Sequence, residues 1–190
     1  VGEVIESLSF IDERDEPYSL NNVYEDDFNQ LLLVTTSAEW CTACIKEQPT
    51  LEALYTEFKP RGLEIVVTLF QDRDFEPANA ELSARWKDKY GLSFPVIADP
   101  TDPSKFSPYY DVSLTPMVML VDVSTMEIIY LTQGFDEDQV RGLINSQLPK
   151  ELPKPRTYPS APYGKEVGDV IETLPFTTEV NTPFNTSQIY

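Results

Sequence analysis

Two cysteines are all that this 190-residue chain holds, and they stand three positions apart in Trp40-Cys41-Thr42-Ala43-Cys44. The apolar run Leu31 to Thr35 ahead of them reads as a strand, and the segment behind them as a helix. At such a helix start the first thiol meets free backbone N–H groups and the positive end of the helix dipole. Both favour the thiolate, the nucleophile of thiol–disulfide exchange. The second thiol, one turn inside, is placed to resolve a mixed disulfide. Thr42-Ala43 puts no cation between them, so the dipole acts nearly alone, contributing about 0.3–1 kcal/mol and occasionally ~2. At about 1.4 kcal/mol per pKa unit, the Cys41 thiol is expected to fall from about 8.5 to roughly 7–8. A purely structural bridge this short restrains little chain entropy. Zinc needs about four ligands, and there is neither a further Cys nor any His, so no metal site is expected.

The absence of His also excludes a Cys–His pair, a Ser–His–Asp triad and a His-ligated haem. A net charge of −18 argues against nucleic acid and anionic membranes as partners, because phosphate contacts need clustered Lys and Arg. No apolar run approaches the roughly 18 residues of a membrane span. Confining both cysteines to one redox motif suits an oxidising compartment. The sequence starts at Val1 without an initiator Met, which reads as a processed protein or an excised piece with any export signal or anchor removed.

The elements that must position the cysteines alternate. Val1 to Leu20 reads as a hairpin broken around Asp12 to Pro17, followed by a short helix capped by Asn21 or Asn22. Leu51, Leu54, Tyr55 and Phe58 recur at helical spacing as core residues until Lys59-Pro60-Arg61-Gly62 stops the helix, and Pro49 is expected to kink it. Strands are expected at Leu63 to Phe70 and Phe94 to Ala98, with a helix over Pro77 to Tyr90 between them whose Leu82 and Trp86 pack inward. A hairpin of Met117 to Val123 and Ile128 to Thr132 and a closing helix over Asp136 to Leu148 complete the set. Such alternation requires an α/β fold with a largely parallel centre. Phe106, Tyr109 and Tyr110 either line a groove near the cysteines or pack a short helix.

Further residues extend the motif. Ala38-Glu39-Trp40 leads into the cysteines, Glu47 and Pro49 follow at three and five residues after Cys44, and Ser113-Leu114-Thr115-Pro116 precedes an apolar strand. With Phe94-Pro95-Val96, Asp99, Tyr110 and Gly134, these resemble the thioredoxin superfamily, in particular its exported TlpA- and ResA-like redoxin branch, over about Val1 to Leu148. The resemblance implies a thioredoxin-like fold: a central mixed sheet flanked by helices, with an N-terminal hairpin extension. It implies an extracytoplasmic, periplasmic or extracellular thiol–disulfide oxidoreductase that needs no cofactor beyond the Cys41–Cys44 disulfide. Its partners would be protein thiols or disulfides and an upstream electron donor. By the same resemblance Thr115–Pro116 is cis, and Trp40, Thr115 and Pro116 hold substrate. Cytoplasmic members bury an Asp six residues before the first cysteine, where this chain has Thr35. Glu47 is the replacement carboxylate by resemblance, and an ordinary solvated helix residue by composition. Peroxiredoxins share the fold, but their pattern needs Thr or Ser three residues before the reactive cysteine, and Ala38 stands there. A redox-inactive binding module is the non-enzyme reading.

After Leu148 the composition changes. Residues 149–165 hold five prolines, four basic residues and one acidic residue, a proline-rich connector carrying +3 against −21 for the rest. Residues 166–190 then repeat the start: Val167 to Tyr190 aligns with Val1 to Tyr24 at an offset of 166, with ten of 24 positions identical. This tail reads as the opening hairpin of a second domain, or as a packing element through which copies self-associate.

Overall fold

The computed structural model describes residues 1–150 and, in a second compact unit, two three-residue strands. In the first unit the chain runs β1 (Ser9–Asp12), β2 (Pro17–Ser19), α1 (Asn21–Tyr24), β3 (Leu31–Ala38), α2 (Thr42–Phe58), β4 (Leu63–Gln71), α3 (Ala80–Tyr90), β5 (Val96–Ala98), β6 (Met117–Asp122), β7 (Glu127–Gln133) and α4 (Glu137–Gln147). One seven-stranded mixed sheet results, in the order β2-β1-β5-β4-β3-β6-β7. The neighbours β3, β4 and β5 are parallel to one another, as helical crossovers demand, and the remaining pairs are antiparallel.

Every residue of β3 is buried, because both faces of the sheet are covered. Leu31 and Leu33 point to the core shared with Leu51, Leu54 and Phe58 of α2, Trp86 of α3 and Ile144 of α4. Their alternates, Leu32 and Val34, point to the second core with Phe10, Leu20, Val23, Ile97 and Phe106. The N-terminal segment helps close this second face: residues 2–5 bond to the start of β7 at one edge, while β1 pairs with β5 towards the other. Phe106 stacks on Phe10 at 5.6 Å between centroids and Tyr110 is buried in the same core, so both pack against the sheet.

Several element boundaries differ from expectation, each for a local reason. Asn21 and Asn22 lie inside α1, whose N-cap, Leu20, makes no side-chain cap bond; Asn22 instead accepts from the Ser19 N–H. α3 starts at Ala80, because Pro77 forms a bridge to Gln71 and Asn79 is the cap, accepting from the Leu82 N–H at 2.9 Å. α2 runs through Pro49 to Phe58 as one helix, held by its buried stripe.

Residues 151–165 of the connector lie outside the described residues. In the second unit, β8 (Pro175–Thr177) pairs antiparallel with β9 (Pro183–Asn185), with Phe176 opposite Phe184. Phe10 stands opposite Tyr18 in the first hairpin, and its two flanking pairs match likewise at the offset of 166. The two hairpins therefore share one register.

Gly62 ends the 3-10 turn that follows α2, at φ +96°, and its carbonyl accepts from the Gln30 and Leu31 N–H groups. An added Cβ would lie 2.7 Å from the Phe28 carbonyl oxygen and 2.6 Å from Gln30 Cγ. Gly62→Ala should therefore cost about 1–3 kcal/mol. Urea denaturation should show a lower midpoint at constant slope; an unchanged midpoint would mean that this backbone yields freely.

Candidate functional site

The site stands where β3 hands over to α2. Cys41 is the N-cap of α2, with extended backbone, and its Sγ accepts the Cys44 N–H at 3.1 Å. A helix-terminal donor is thus already directed at the first sulfur. Cys41 and Cys44 are joined in a disulfide; Cys41 is 5% exposed and Cys44 fully buried. The expected order, outer sulfur first and inner sulfur one turn later, is the order found.

Across the sulfurs lies the loop before β6. The Thr115–Pro116 bond is cis, and the Thr115 carbonyl oxygen is 3.8 Å from Cys41 Sγ. The Thr115 hydroxyl is 3.9 Å from Cys44 Sγ and 3.3 Å from the Thr36 hydroxyl. Thr36 in turn accepts the Met117 N–H at 2.9 Å, which pins this loop to the end of β3. Trp40 is half-buried, donates through Nε1 to Gln71 Oε1 at 3.2 Å and meets Phe70 edge-on.

Glu47 is not a solvated helix residue. On α2 the positions Cys44, Glu47, Gln48, Leu51, Leu54 and Phe58 form one buried stripe, and Glu47 sits one turn beyond Cys44 within it. Thr35, on the α2-facing side of β3, donates its hydroxyl to Glu47 Oε1 at 2.7 Å. The other oxygen, Oε2, has no hydrogen-bond partner. Burial pushes the Glu47 carboxyl up to about 8, against the smaller lowering effect of the Thr35 hydrogen bond. A depression of about 320 Å³ lined by Ala43, Pro116 and Phe135 borders Glu47. The site therefore combines a disulfide, a helix-terminal donor and a proton-holding carboxyl.

All six residues singled out from the sequence, Cys41, Cys44, Glu47, Trp40, Thr115 and Pro116, come together here. Three contributors escaped sequence reading. Thr35 stands where cytoplasmic thioredoxins carry a carboxylate, and its hydroxyl is what meets Glu47. Thr36 bonds the Thr115–Pro116 loop from the end of a strand 79 positions away, and no local pattern signals that. Phe75, on the turn between β4 and α3, lies against Trp40 at 5.7 Å between ring centroids. Among the described residues no group of three or more His, Cys, Asp or Glu could hold a metal ion, and no helix is long and apolar enough to cross a membrane.

Comparison with known proteins places this geometry. The model of the AhpC/TSA family matches residues 1–128. Thiol-disulfide oxidoreductase ResA of Bacillus subtilis (strain 168) is 30% identical over 112 residues, which is 59% of this chain and 58% of that protein. Glutathione peroxidase-like peroxiredoxin 1 of Saccharomyces cerevisiae is 33% identical over 94 residues, 48% of this chain and 53% of that one. The chain thus spans 58–59% of the length of the Bacillus ResA relatives it matches. Among solved structures, a putative thiol:disulfide interchange protein DsbE from Chlorobium tepidum superposes with a TM-score of 0.63 at 15% identity, covering 77% of this chain and 96% of that one. The sheet described above is a thioredoxin-like fold.

The buried carboxyl sets a pH dependence of stability. In the unfolded chain Glu47 loses its proton near 4.5, whereas the folded protein holds it up to about 8. The folded state therefore binds more protons between those values, and its stability falls as pH rises through that window. Glu47→Gln should flatten the fall when the oxidised protein is denatured with urea across it, relative to wild type. Thr35→Val, which removes the donor, should move the end of the fall to higher pH. Parallel curves for wild type and Glu47→Gln would mean that the carboxyl ionises in its ordinary range.

Proposed function

Since the chain belongs to the AhpC/TSA family, we propose that it is an extracytoplasmic thiol–disulfide oxidoreductase working through the Cys41–Cys44 dithiol. The observation that carries this reading is the Cys44 N–H bound to Cys41 Sγ at the N-cap of α2. That donor and the helix dipole stabilise a thiolate on the outer sulfur as soon as the disulfide is opened.

In the reductive direction the Cys41 thiolate attacks one sulfur of a substrate disulfide. A Cys41–substrate disulfide forms and the other substrate sulfur leaves as thiolate. Cys44 then loses its proton, with the ionised form of Glu47 one turn along α2 as the acceptor, and attacks Cys41 Sγ. The Cys41–Cys44 disulfide re-forms, the second substrate sulfur leaves, and two electrons have passed to the substrate. Glu47 suits this step because burial pushes its carboxyl up to about 8, which makes its ionised form a stronger base than an ordinary carboxylate. On a helix, side chains one turn apart lie within about 5–6 Å at Cβ. Thr115, Pro116 and Trp40 hold the substrate backbone beside the sulfurs. The dithiol carries the electrons itself, so no organic cofactor or metal is needed.

The partners on this reading are protein thiols and disulfides together with an upstream electron donor. Extracytoplasmic residence is supported by resemblance to the exported redoxin branch and by the confinement of both cysteines to the motif. Residues 149–165 act as a connector, and 166–190 as the opening hairpin of a second domain of the same kind; the shared register of the two hairpins supports that assignment. Peroxide reduction is the second reading, favoured by the likeness to yeast peroxiredoxin 1. Against it, the position three before Cys41 is Ala38, a buried residue with no hydroxyl to orient a peroxide.

Wild type should reduce a protein disulfide in the presence of dithiothreitol, Cys41→Ser should fall to the uncatalysed background, and Cys44→Ser should accumulate the mixed disulfide. In the reduced protein, alkylation near neutral pH should modify Cys41 first. Turnover by Cys41→Ser, or faster labelling of Cys44, would reverse the assigned roles; consumption of hydrogen peroxide faster than of disulfide would promote the second reading.

A further inference from the structure

Beside the disulfide a groove of about 470 Å³ starts at Trp40 and runs between two walls. One wall is the turn that follows β4, with Gln71, Phe75 and Glu76; the other is the loop after β5, with Asp102 and Pro103, together with Val112. Its volume lies in the range of about 300–1,000 Å³ usual for sites that take organic groups. None of the steps above uses its far end.

Phe75 is the telling residue. It is 63% exposed, and its backbone has φ +65°, a left-handed conformation in which a bulky side chain is an outlier and where Gly or Asn would be easier. The conformation is held from several sides. Asp72 Oδ1 accepts the Asp74 and Glu76 N–H groups at 2.8 and 2.9 Å, the Phe75 N–H donates to the Asp72 carbonyl, and Gln71 Nε2 donates to the Phe75 carbonyl. Gln71 also accepts from Trp40, so the turn and the tryptophan beside Cys41 are one hydrogen-bonded piece. Folding gains little from an exposed phenylalanine in such a place, whereas an apolar ligand side chain would gain from the Phe75–Trp40 pair.

The charge around the groove selects the ligand further. Glu39, Asp72, Asp74, Glu76, Asp99, Asp102 and Asp111 stand on its bounding segments, with Arg73 and Lys105 as the cations. That is seven acidic residues to two basic ones, against 32 to 14 in the whole chain. Walls of one sign focus the field along a cleft and raise the encounter rate of oppositely charged ligands.

On the oxidoreductase reading, we infer that this groove selects polypeptide disulfides whose reacting cysteine is flanked by an apolar side chain, held on Phe75 and Trp40, and by Lys or Arg facing Glu76 and Asp102. The test uses three short peptides with Phe near a single cysteine and Lys, Gln or Glu at the flanking positions. Each carries its cysteine as a mixed disulfide with thionitrobenzoate, whose release is read by absorbance. For the reduced wild-type chain at low salt, kcat/KM for the Lys peptide should exceed that for the Glu peptide by about tenfold, and the ratio should shrink as salt is added. Phe75→Ala should raise KM for the Lys peptide. Glu76→Gln with Asp102→Asn should bring the ratio towards one. Glu3→Gln with Glu127→Gln, an equal charge change where the N-terminal segment meets β7, should leave it in place. Equal rates for all three peptides overturn the groove and leave the oxidoreductase reading intact. A preference that survives in the Glu76/Asp102 variant, or is lost equally in the Glu3/Glu127 variant, assigns it to the overall charge and also overturns the groove. No exchange with any peptide overturns the oxidoreductase reading itself.

Discussion

β3 is buried along all eight of its residues and bonded on both sides, to β4 and to β6, so a polar side chain on it is costly unless a partner meets it. Of its polar residues before Ala38, Thr35 and Thr36 meet partners and organise what surrounds them, whereas Ser37 Oγ has none among the described residues. Thr35 donates to Glu47 and thereby ties α2 to the strand; Thr36 accepts from Met117 and ties down the loop that carries Thr115 and Pro116. The two sulfurs lie between these tethers. Removing a partner from such a place leaves a buried polar group unpaired at about 1–3 kcal/mol, so the polar end of the strand stabilises the site's geometry more than any surface contact does.

The electrostatic character of the site comes from depth and not from net charge. Although the chain carries −18, salt screens the distant carboxylates, and the leading cause of the raised Glu47 pKa is its own burial. The same carboxyl half a turn round α2 would be an ordinary solvated glutamate. Cys41 lies at the helix start, where a backbone N–H and the helix dipole act on its sulfur. One short helix segment thus supplies a place that favours negative charge and another that resists it.

The acidic surroundings act further out. Along the groove bounded by the turn after β4 and the loop after β5, carboxylates crowd a pair of aromatic rings, and the exposed ring is held in a backbone conformation that its residue type does not favour. Strain of this kind persists only where neighbouring hydrogen bonds over-determine the chain, here those of Asp72 and Gln71. The hairpins at the two ends of the sequence show the converse, because equal local patterns produce equal registers in β1–β2 and β8–β9.

What the sequence determined alone follows from periodicity and spacing, which are local. The alternation of strands and helices, the inward faces of α2 and α3, the placing of Cys41 and Cys44 at a helix start and the repeat at 166 residues are all readable from neighbours within a turn or a strand. Boundaries slipped where a cap or a proline competed with the pattern, as at Asn21 and Pro77. The stripe Cys44, Glu47, Leu51 was present in the sequence too, but composition alone weighed a glutamate there equally as solvated. Only the tertiary structure decided that Glu47 is buried, that the Thr35 hydroxyl meets it, that Thr36 holds the loop before β6, and that Phe75 lies on Trp40. The physical reason is that each of these depends on two surfaces brought together across 12 to 79 positions of chain. Burial and hydrogen-bond pairing are properties of that meeting, and neither surface carries them alone.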